Sequence, residues 1–358
     1  MSIISETGNK YYIYITPEEG AISWNINTYE QNQCGFVAYF GKILQAVEKN
    51  LTSGGWTFYV TMMCMDELPS YGEKVIVLIY GDELCRIPKY ANKVGAIFKC
   101  YGTNQALGCN PITQPSYLNL MTTVQYIRNY LIRLPRILNH QSNKFFNKIK
   151  SILGQDNQKM APIYDIPLGY YNSQDMPIKN FDERSFDVYF AGSSSHTQYP
   201  LWSLKYWLRT PKTISRENML DNLKKFKQKY PEFNIESSVT SAFGAKGASD
   251  AATQYCEKMM NTKICLAPRG TSLETYRFYE AIKYGCIVIT EALPSRWFYD
   301  GSPAIQVEDW RQLEEVLTQL LQNKTLLNET HEKSLHWWET KCSESVVGKY
   351  IAENLNSM

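Results

Sequence analysis

Two arginines and three glutamates crowd into residues 263 to 291, KICLAPRGTSLETYRFYEAIKYGCIVITE. Arg269 stands where an apolar run gives way to a turn, Glu274, Arg277 and Glu280 follow in a segment of helical period, and Glu291 comes directly after the next apolar run. A guanidinium fork matches phosphate oxygens, and a helix N-terminus beside it adds backbone N–H groups and a favourable dipole. A carboxylate one or two turns along such a helix can accept from the two hydroxyls of a ribose. The combination reads as a nucleotide-diphosphate site. A plainer account exists for part of it: Thr271-x-x-Glu274 has the capping-box form, and Arg277 and Glu280, three apart, can make a helix-surface ion pair worth roughly a few tenths of a kcal/mol. Neither explains Arg269, which lies at a strand end, where open α/β sheets bind their ligands.

FAGSSSH supplies a second candidate. The apolar run DVYF ends in Gly192 and the serines Ser193, Ser194 and Ser195, whose small side chains let backbone N–H groups approach a ligand, with His196 beside them. The alternative is a polar loop. A Ser–His hydrolase does not fit, because the strand-elbow-helix G-x-S-x-G context is missing. Carboxylates at strand ends are candidate general bases: Asp82 and Glu83, directly after VIVLIYG, are preferred, with Asp66 and Glu67 next. Glu291, at a strand end, is a further candidate ligand contact.

These residues need elements to hold them. Apolar runs alternate with helical segments, the pattern of α/β layers on parallel sheets. KYYIYIT, WTFYVTMM, KVIVLIYGDE and GAIFKCYG read as strands, FVAYFGKILQAVEKN as a helix, and 116 to 153 as helical with a break at Pro135. Residues 161 to 185, with three prolines, read as a linker region. A second series follows: FDVYFAGS, a helix capped by Ser215, FNIESSVT, SDAATQYCEKMM, the strand-turn-helix-strand quoted above, AIQV, and helices to the end. The expectation is two α/β domains, one over 1–170 and one over 171–340, with helical residues 341–358 at the end.

Composition limits the partners. At 358 residues two cores are expected, and a formal net charge of +2 gives no cationic field for nucleic acid. Nine cysteines without a C-x-x-C pair suit a reducing compartment, and no run of about 18 apolar residues suggests a membrane span. A cytoplasmic protein, with peripheral membrane contact at most, is expected. No D-x-D occurs, and the four histidines show no metal-ligand spacing, so no metal and no cofactor are expected.

PRGTSLETYRFYEAIKYGCIVI resembles the C-terminal motif of the exostosin-type glycosyltransferases: Arg269, Ser272, Arg277, Glu280-Ala281, Gly285-Cys286 and a β-branched strand. The resemblance covers about a hundred residues. It implies an enzyme of two Rossmann-like domains facing across a cleft (GT-B type), moving a sugar from a nucleotide-diphosphate donor to a hydroxyl of a glycan or glycoconjugate. The acceptor-side domain would be 1–170 and the nucleotide-sugar-binding domain 171–340, with the last helix, 341–358, packing back on the first. Arg269 and Arg277 would hold the diphosphate and Glu280 the ribose, His196 and Glu291 would lie near the donor sugar, and Asp82 or Glu83 would deprotonate the acceptor. Many retaining relatives carry a glutamate where Ser272 stands, so inversion is expected, with helix N-termini and arginines rather than a metal neutralising the leaving group. The competing expectation is a non-catalytic nucleotide-sugar or glycan-binding protein of the same fold.

Overall fold

The computed structural model describes residues 8–28, 35–153, 160–193, 209–240 and 248–358. The chain divides into two units, one formed by Met1–Gln105, Tyr126–Leu168 and Glu344–Met358, the other by Ala106–Gln125 and Gly169–Ser343.

Unit 1 holds β1 (Lys10–Ile13), β2 (Ile22–Ser23), α1 (Phe36–Asn50), β3 (Thr57–Thr61), β4 (Gly72–Ile79), β5 (Val94–Lys99), most of α2 (Tyr117–Ile152) and β6 (Ile163–Asp165). Its sheet runs β2-β1-β3-β4-β5-β6 and is parallel except for the β1/β2 pair. Strands buried on both faces read as unbroken apolar runs, and Val75 to Ile79 in β4 is one. Phe36, Phe40, Ile43, Leu44 and Val47 make the buried stripe of α1. The chain's last helix, α8 (Glu344–Asn356), lies against α1 so closely that a Cβ on Gly348 would meet the Cβ of Ala46 at 2.5 Å.

Unit 2 holds β7 (Phe186–Ser193), α3 (Pro211–Lys229), β8 (Ile235–Thr240), α4 (Ala248–Met260), β9 (Thr262–Ala267), α5 (Tyr276–Lys283), β10 (Ile287–Thr290), β11 (Ile305–Gln306), α6 (Leu313–Leu321) and α7 (Lys324–Trp337). The sheet is wholly parallel in the order β11-β10-β9-β7-β8. Val188, Phe190, Ile264, Leu266, Ile287 and Ile289 pack with Met219, Leu223 and Phe226 of α3 and Leu313 and Leu317 of α6. Tyr189 alternates to the other face, where its ring lies 6.5 Å from that of Tyr255 in α4. Helices therefore cover both faces, the doubly wound arrangement.

Three local expectations are corrected. α2 runs through Pro135 without a break: the proline removes one bond from a 36-residue ladder at an exposed position, where water can serve the released carbonyl. α3 starts at Pro211, whose missing N–H costs nothing in the first turn, and Thr210 caps it by accepting from the Thr213 N–H at 3.3 Å. Ser215 sits inside the helix and is fully buried. α5 starts at Tyr276 behind Thr275, so Thr271 and Glu274 precede it and make no capping box. The other end of α5 follows local chemistry closely. Gly285 takes φ +72°, its N–H reaches the Ile282 carbonyl at 2.9 Å, and the Cys286 N–H reaches Ala281 at 3.0 Å, the paired bonds of a Schellman turn.

Candidate functional site

In unit 2 the strand order reverses beside β7: β8 lies on one side and β9, next in sequence, on the other. Connections leaving the carboxyl ends of two such strands depart to opposite faces, and the crevice between them is where doubly wound sheets take ligands. The two ends are Gly192-Ser193 of β7 and Ala267 of β9, the latter followed by Pro268 and Arg269.

Arginines gather at this point. Arg269 is buried; its Nε donates to Glu291 and its Nη1 to Thr122 Oγ1 at 2.8 Å. Arg216 of α3, also buried, donates through Nε to the Arg269 carbonyl at 3.2 Å and through Nη1 to the Ser193 carbonyl, linking the ends of the two strands. Sequence reasoning missed it. Its signal was weak: a helix residue beside the Ser215 taken for a cap, with nothing local to say that it faces the crevice.

Arg277 completes the group from α5. Its guanidinium carbon stands 4.8 Å from the centre of the Phe190 ring, a cation–π placement. Its Nε and Nη1 are buried yet have no hydrogen-bond partner, as has Thr275 Oγ1 nearby in sequence. Such orphaned donors are uncommon and mark places where a ligand or ion can complete the bonding. Gly192 is the neighbour that permits this: a Cβ there would lie 2.1 Å from Arg277 Nη2.

Glu291 is a hub rather than a group presented to a sugar. It accepts from Arg269, from Ser215 Oγ and from Trp310 Nε1 at 2.9 Å. The carboxylate is buried and holds Arg269 in place. Glu274 is likewise engaged within the protein. It forms a buried ion pair with Arg296 at 2.9 Å and accepts from the Tyr299 hydroxyl at 3.3 Å. Ser272 Oγ accepts from the Glu274 N–H at 3.4 Å.

Glu280 departs furthest from expectation. It is buried, one oxygen accepting from the backbone N–H groups of Tyr171 and Asn172 at 3.1 and 2.6 Å, the other from the Tyr255 hydroxyl at 2.6 Å. A ribose would have to displace these bonds. Burial pushes its carboxyl pKa up, against the Tyr255 hydroxyl, the two N–H groups and the Arg277 charge, and the net direction is upward. Three guanidiniums thus share the region with two carboxyl groups, Glu291 and Glu280, an excess of positive charge that favours an anion.

Asp82, the first-named candidate base of unit 1, is enclosed. It is buried against the equally buried Lys99 at 2.9 Å and accepts from Arg86 Nε at 2.8 Å. Burial alone would raise its pKa, but the Lys99 ammonium and Arg86 guanidinium outweigh it and hold the carboxyl below its usual value. A carboxylate so stabilised and so enclosed is a poor proton acceptor. Glu83 beside it is half-buried. Ser194 and His196 lie outside the described residues. Among the described residues no group of three His, Cys, Asp or Glu side chains is placed to hold a metal ion.

Comparison with known proteins points to the same half of the chain. The family model of the RXYLT1 C-terminal domain matches residues 184–353. The ribitol-5-phosphate xylosyltransferase 1 of Danio rerio is 26% identical over 171 residues, which are 43% of this chain and 38% of that protein's length. Among solved structures, the pneumococcal O-GlcNAc transferase GtfA in complex with UDP and GlcNAc superposes with a TM-score of 0.42 at 10% identity, covering 80% of this chain and 57% of its own. The glycosyltransferase SnogD from Streptomyces nogalater gives 0.35 at 8% identity, over 91% of this chain and 82% of its own. Those scores are too low to carry an argument, and the architecture rests on the strand order itself.

Proposed function

We propose that the chain is a glycosyltransferase whose second unit binds a nucleotide-diphosphate sugar at the carboxyl ends of β7 and β9 and passes the sugar to a hydroxyl of a glycan or glycoconjugate. The observation that carries this is Arg277: a guanidinium beside the reversal of strand order, with two buried nitrogens lacking partners. Arg269 and Arg216, fixed by Glu291 and by backbone carbonyls, supply the rest of the positive field. The match of residues 184–353 to a xylosyltransferase C-terminal domain supports sugar transfer as the chemistry and makes a pentosyl donor the first to try.

In this reading, arginines and backbone N–H groups stabilise the departing diphosphate, so the reaction proceeds without a metal. A serine rather than a carboxylate at position 272 leaves no acid there to attack the donor sugar, which supports inversion. Glu83 is the candidate base, since Asp82 is locked between Lys99 and Arg86. The thiols of Cys265 and Cys286, buried and unpaired by disulfides, suit a reducing cytoplasmic setting.

The locked Asp82 also favours a second reading, a nucleotide-sugar-binding protein without turnover. One experiment separates the two. UDP-, GDP- and CDP-sugars are titrated by calorimetry with and without EDTA, and release of nucleoside diphosphate is followed with glycan and alditol-phosphate acceptors. Binding that survives EDTA and is lost in Arg277→Ala, with turnover that inverts the anomeric centre and is lost in Glu83→Gln, supports the enzyme. Binding without turnover favours the module, and no binding of any nucleotide sugar overturns both.

A further inference from the structure

The long helix α2 is built inside out. Asn119, Thr122, Asn129 and Arg133 are its buried residues, Arg133 donating to the Thr103 carbonyl at 3.1 Å, and Arg136 beside them bonds Asp66 at 2.5 Å. The opposite side carries Ile127, Leu131, Leu138, Phe145, Ile149 and Ile152, all exposed, Leu131 at 59% and Phe145 at 62%. At 100° per residue these six fall within about 60° of one another, and at 1.5 Å per residue the stripe is about 38 Å long. Helices on globular proteins turn their apolar stripe to the core, so a stripe this long turned to water needs a partner of its own.

Charge says which partner. The sequence YLNLMTTVQYIRNYLIRLPRILNHQSNKFFNKIKSI contains no aspartate and no glutamate. Arg128, Lys144, Lys148 and Lys150 are exposed on it, and Arg128 and Lys150 fall on one flank of the apolar arc with Lys148 on the other. A helix with an apolar face bordered by cations and free of acids matches the boundary between acyl chains and anionic headgroups. A second copy fits poorly, because pairing two such faces would bring their cations together with no carboxylate from either helix to offset them. No helix among the described residues is long and apolar enough to cross a membrane, so α2 would lie on the surface.

We propose that the exposed face of α2 docks on an anionic lipid bilayer, with the six apolar side chains in the acyl boundary and the lysines at the headgroups. The docking is independent of sugar transfer and needs no nucleotide.

The test is flotation of the full chain with vesicles of phosphatidylcholine alone and with phosphatidylglycerol added, at low and high salt. The expected result is binding to the anionic vesicles that weakens in salt and is lost in Leu131→Asp with Phe145→Asp. Removing three cations with Lys144→Gln, Lys148→Gln and Lys150→Gln should lower partitioning roughly a hundredfold. All of these positions are exposed, and an unchanged near-UV circular dichroism spectrum verifies the fold of each variant. Equal binding to neutral vesicles, or no binding at all, overturns the proposal. So does a dimer in sedimentation equilibrium that Leu131→Asp dissociates while vesicles are ignored.

Discussion

The two units share a parallel sheet and differ in how its strands are ordered. In unit 1 the parallel strands run β1-β3-β4-β5-β6 in chain order, whereas in unit 2 the order turns back at β7. Each has charged groups after its strands. In unit 1 Asp82, beyond β4, is enclosed by Lys99 and Arg86, so its charge is used up within the protein. In unit 2 the arginines after β7 and β9 meet one carboxylate, Glu291, and Arg277 keeps two nitrogens without a partner. Under the proposed function, a charged residue at a strand end serves a ligand where topology opens a crevice beside it, and serves a structural ion pair where it does not.

The sharpest way to break this comparison is Asp82→Ala. If Asp82 is structural, removing it leaves the Lys99 ammonium buried without its counter-ion and costs about 3–5 kcal/mol in denaturant unfolding. Nucleotide affinity should then stay unchanged. The reverse outcome, full stability with turnover lost, would return Asp82 to catalysis. The same pair sets an acid limit. Because the folded carboxyl is held below its ordinary 3.8, its contribution is complete above that pH and is lost as pH falls through the lower folded value. Asp82→Asn should remove that part of the acid-unfolding slope.

Arg277→Ala tests the other side of the comparison. Charge-assisted bonds to a diphosphate are worth about 2–3 kcal/mol, so nucleotide affinity should fall roughly thirty- to a hundredfold by calorimetry. The melting temperature should move little, since Nε and Nη1 make no hydrogen bond among the described residues. A large loss of stability would show Arg277 to be a structural group like Asp82.

Gly192→Ala is subtler. The added methyl would lie 2.1 Å from Arg277 Nη2, the free end of a flexible side chain, so the guanidinium swings and the fold survives. Affinity should drop about tenfold. Unchanged affinity would mean that the guanidinium can bind from more than one position.

The smallest effect concerns Glu280. Its carboxyl is raised above the ordinary 4.5 by burial, so the folded state holds its proton more tightly and stability declines as pH rises from 4.5 through the folded value. Glu280→Gln should flatten that decline in thermal melts taken between pH 4 and 8. A steeper decline would show the carboxylate to be the favoured form in its pocket.

Much of the fold was legible. Most strands and α1 follow from apolar runs and helical period, whereas β2 and β6, the latter at Ile163–Asp165 inside the segment expected to be a linker, are too short to show one. Helix starts were less so. Ser215 and the Thr271–Glu274 pair have capping chemistry, yet Thr210 caps α3 and Thr275, at the N-cap position of α5, makes no side-chain capping bond, because the helix begins where the backbone leaves the strand connection. Of the candidate site, Arg269 and Arg277 are brought to one crevice with Gly192 and Ser193, whereas Glu274, Glu280 and Glu291 are spent on Arg296, on backbone N–H groups and on Arg269. Arg216 had no local signal at all.

By itself the sequence determined alternating strands and helices and an arginine-rich turn after an apolar strand, since period and turn chemistry act over a few neighbouring residues. Only the tertiary structure decided which strands lie side by side, hence which strand ends form the crevice. It also decided which charges are satisfied and which face of α2 looks outward. Those outcomes depend on residues as far apart as Ser215 and Glu291, or Thr122 and Arg269, and on the burial of charge that their meeting creates. No local pattern carries that information.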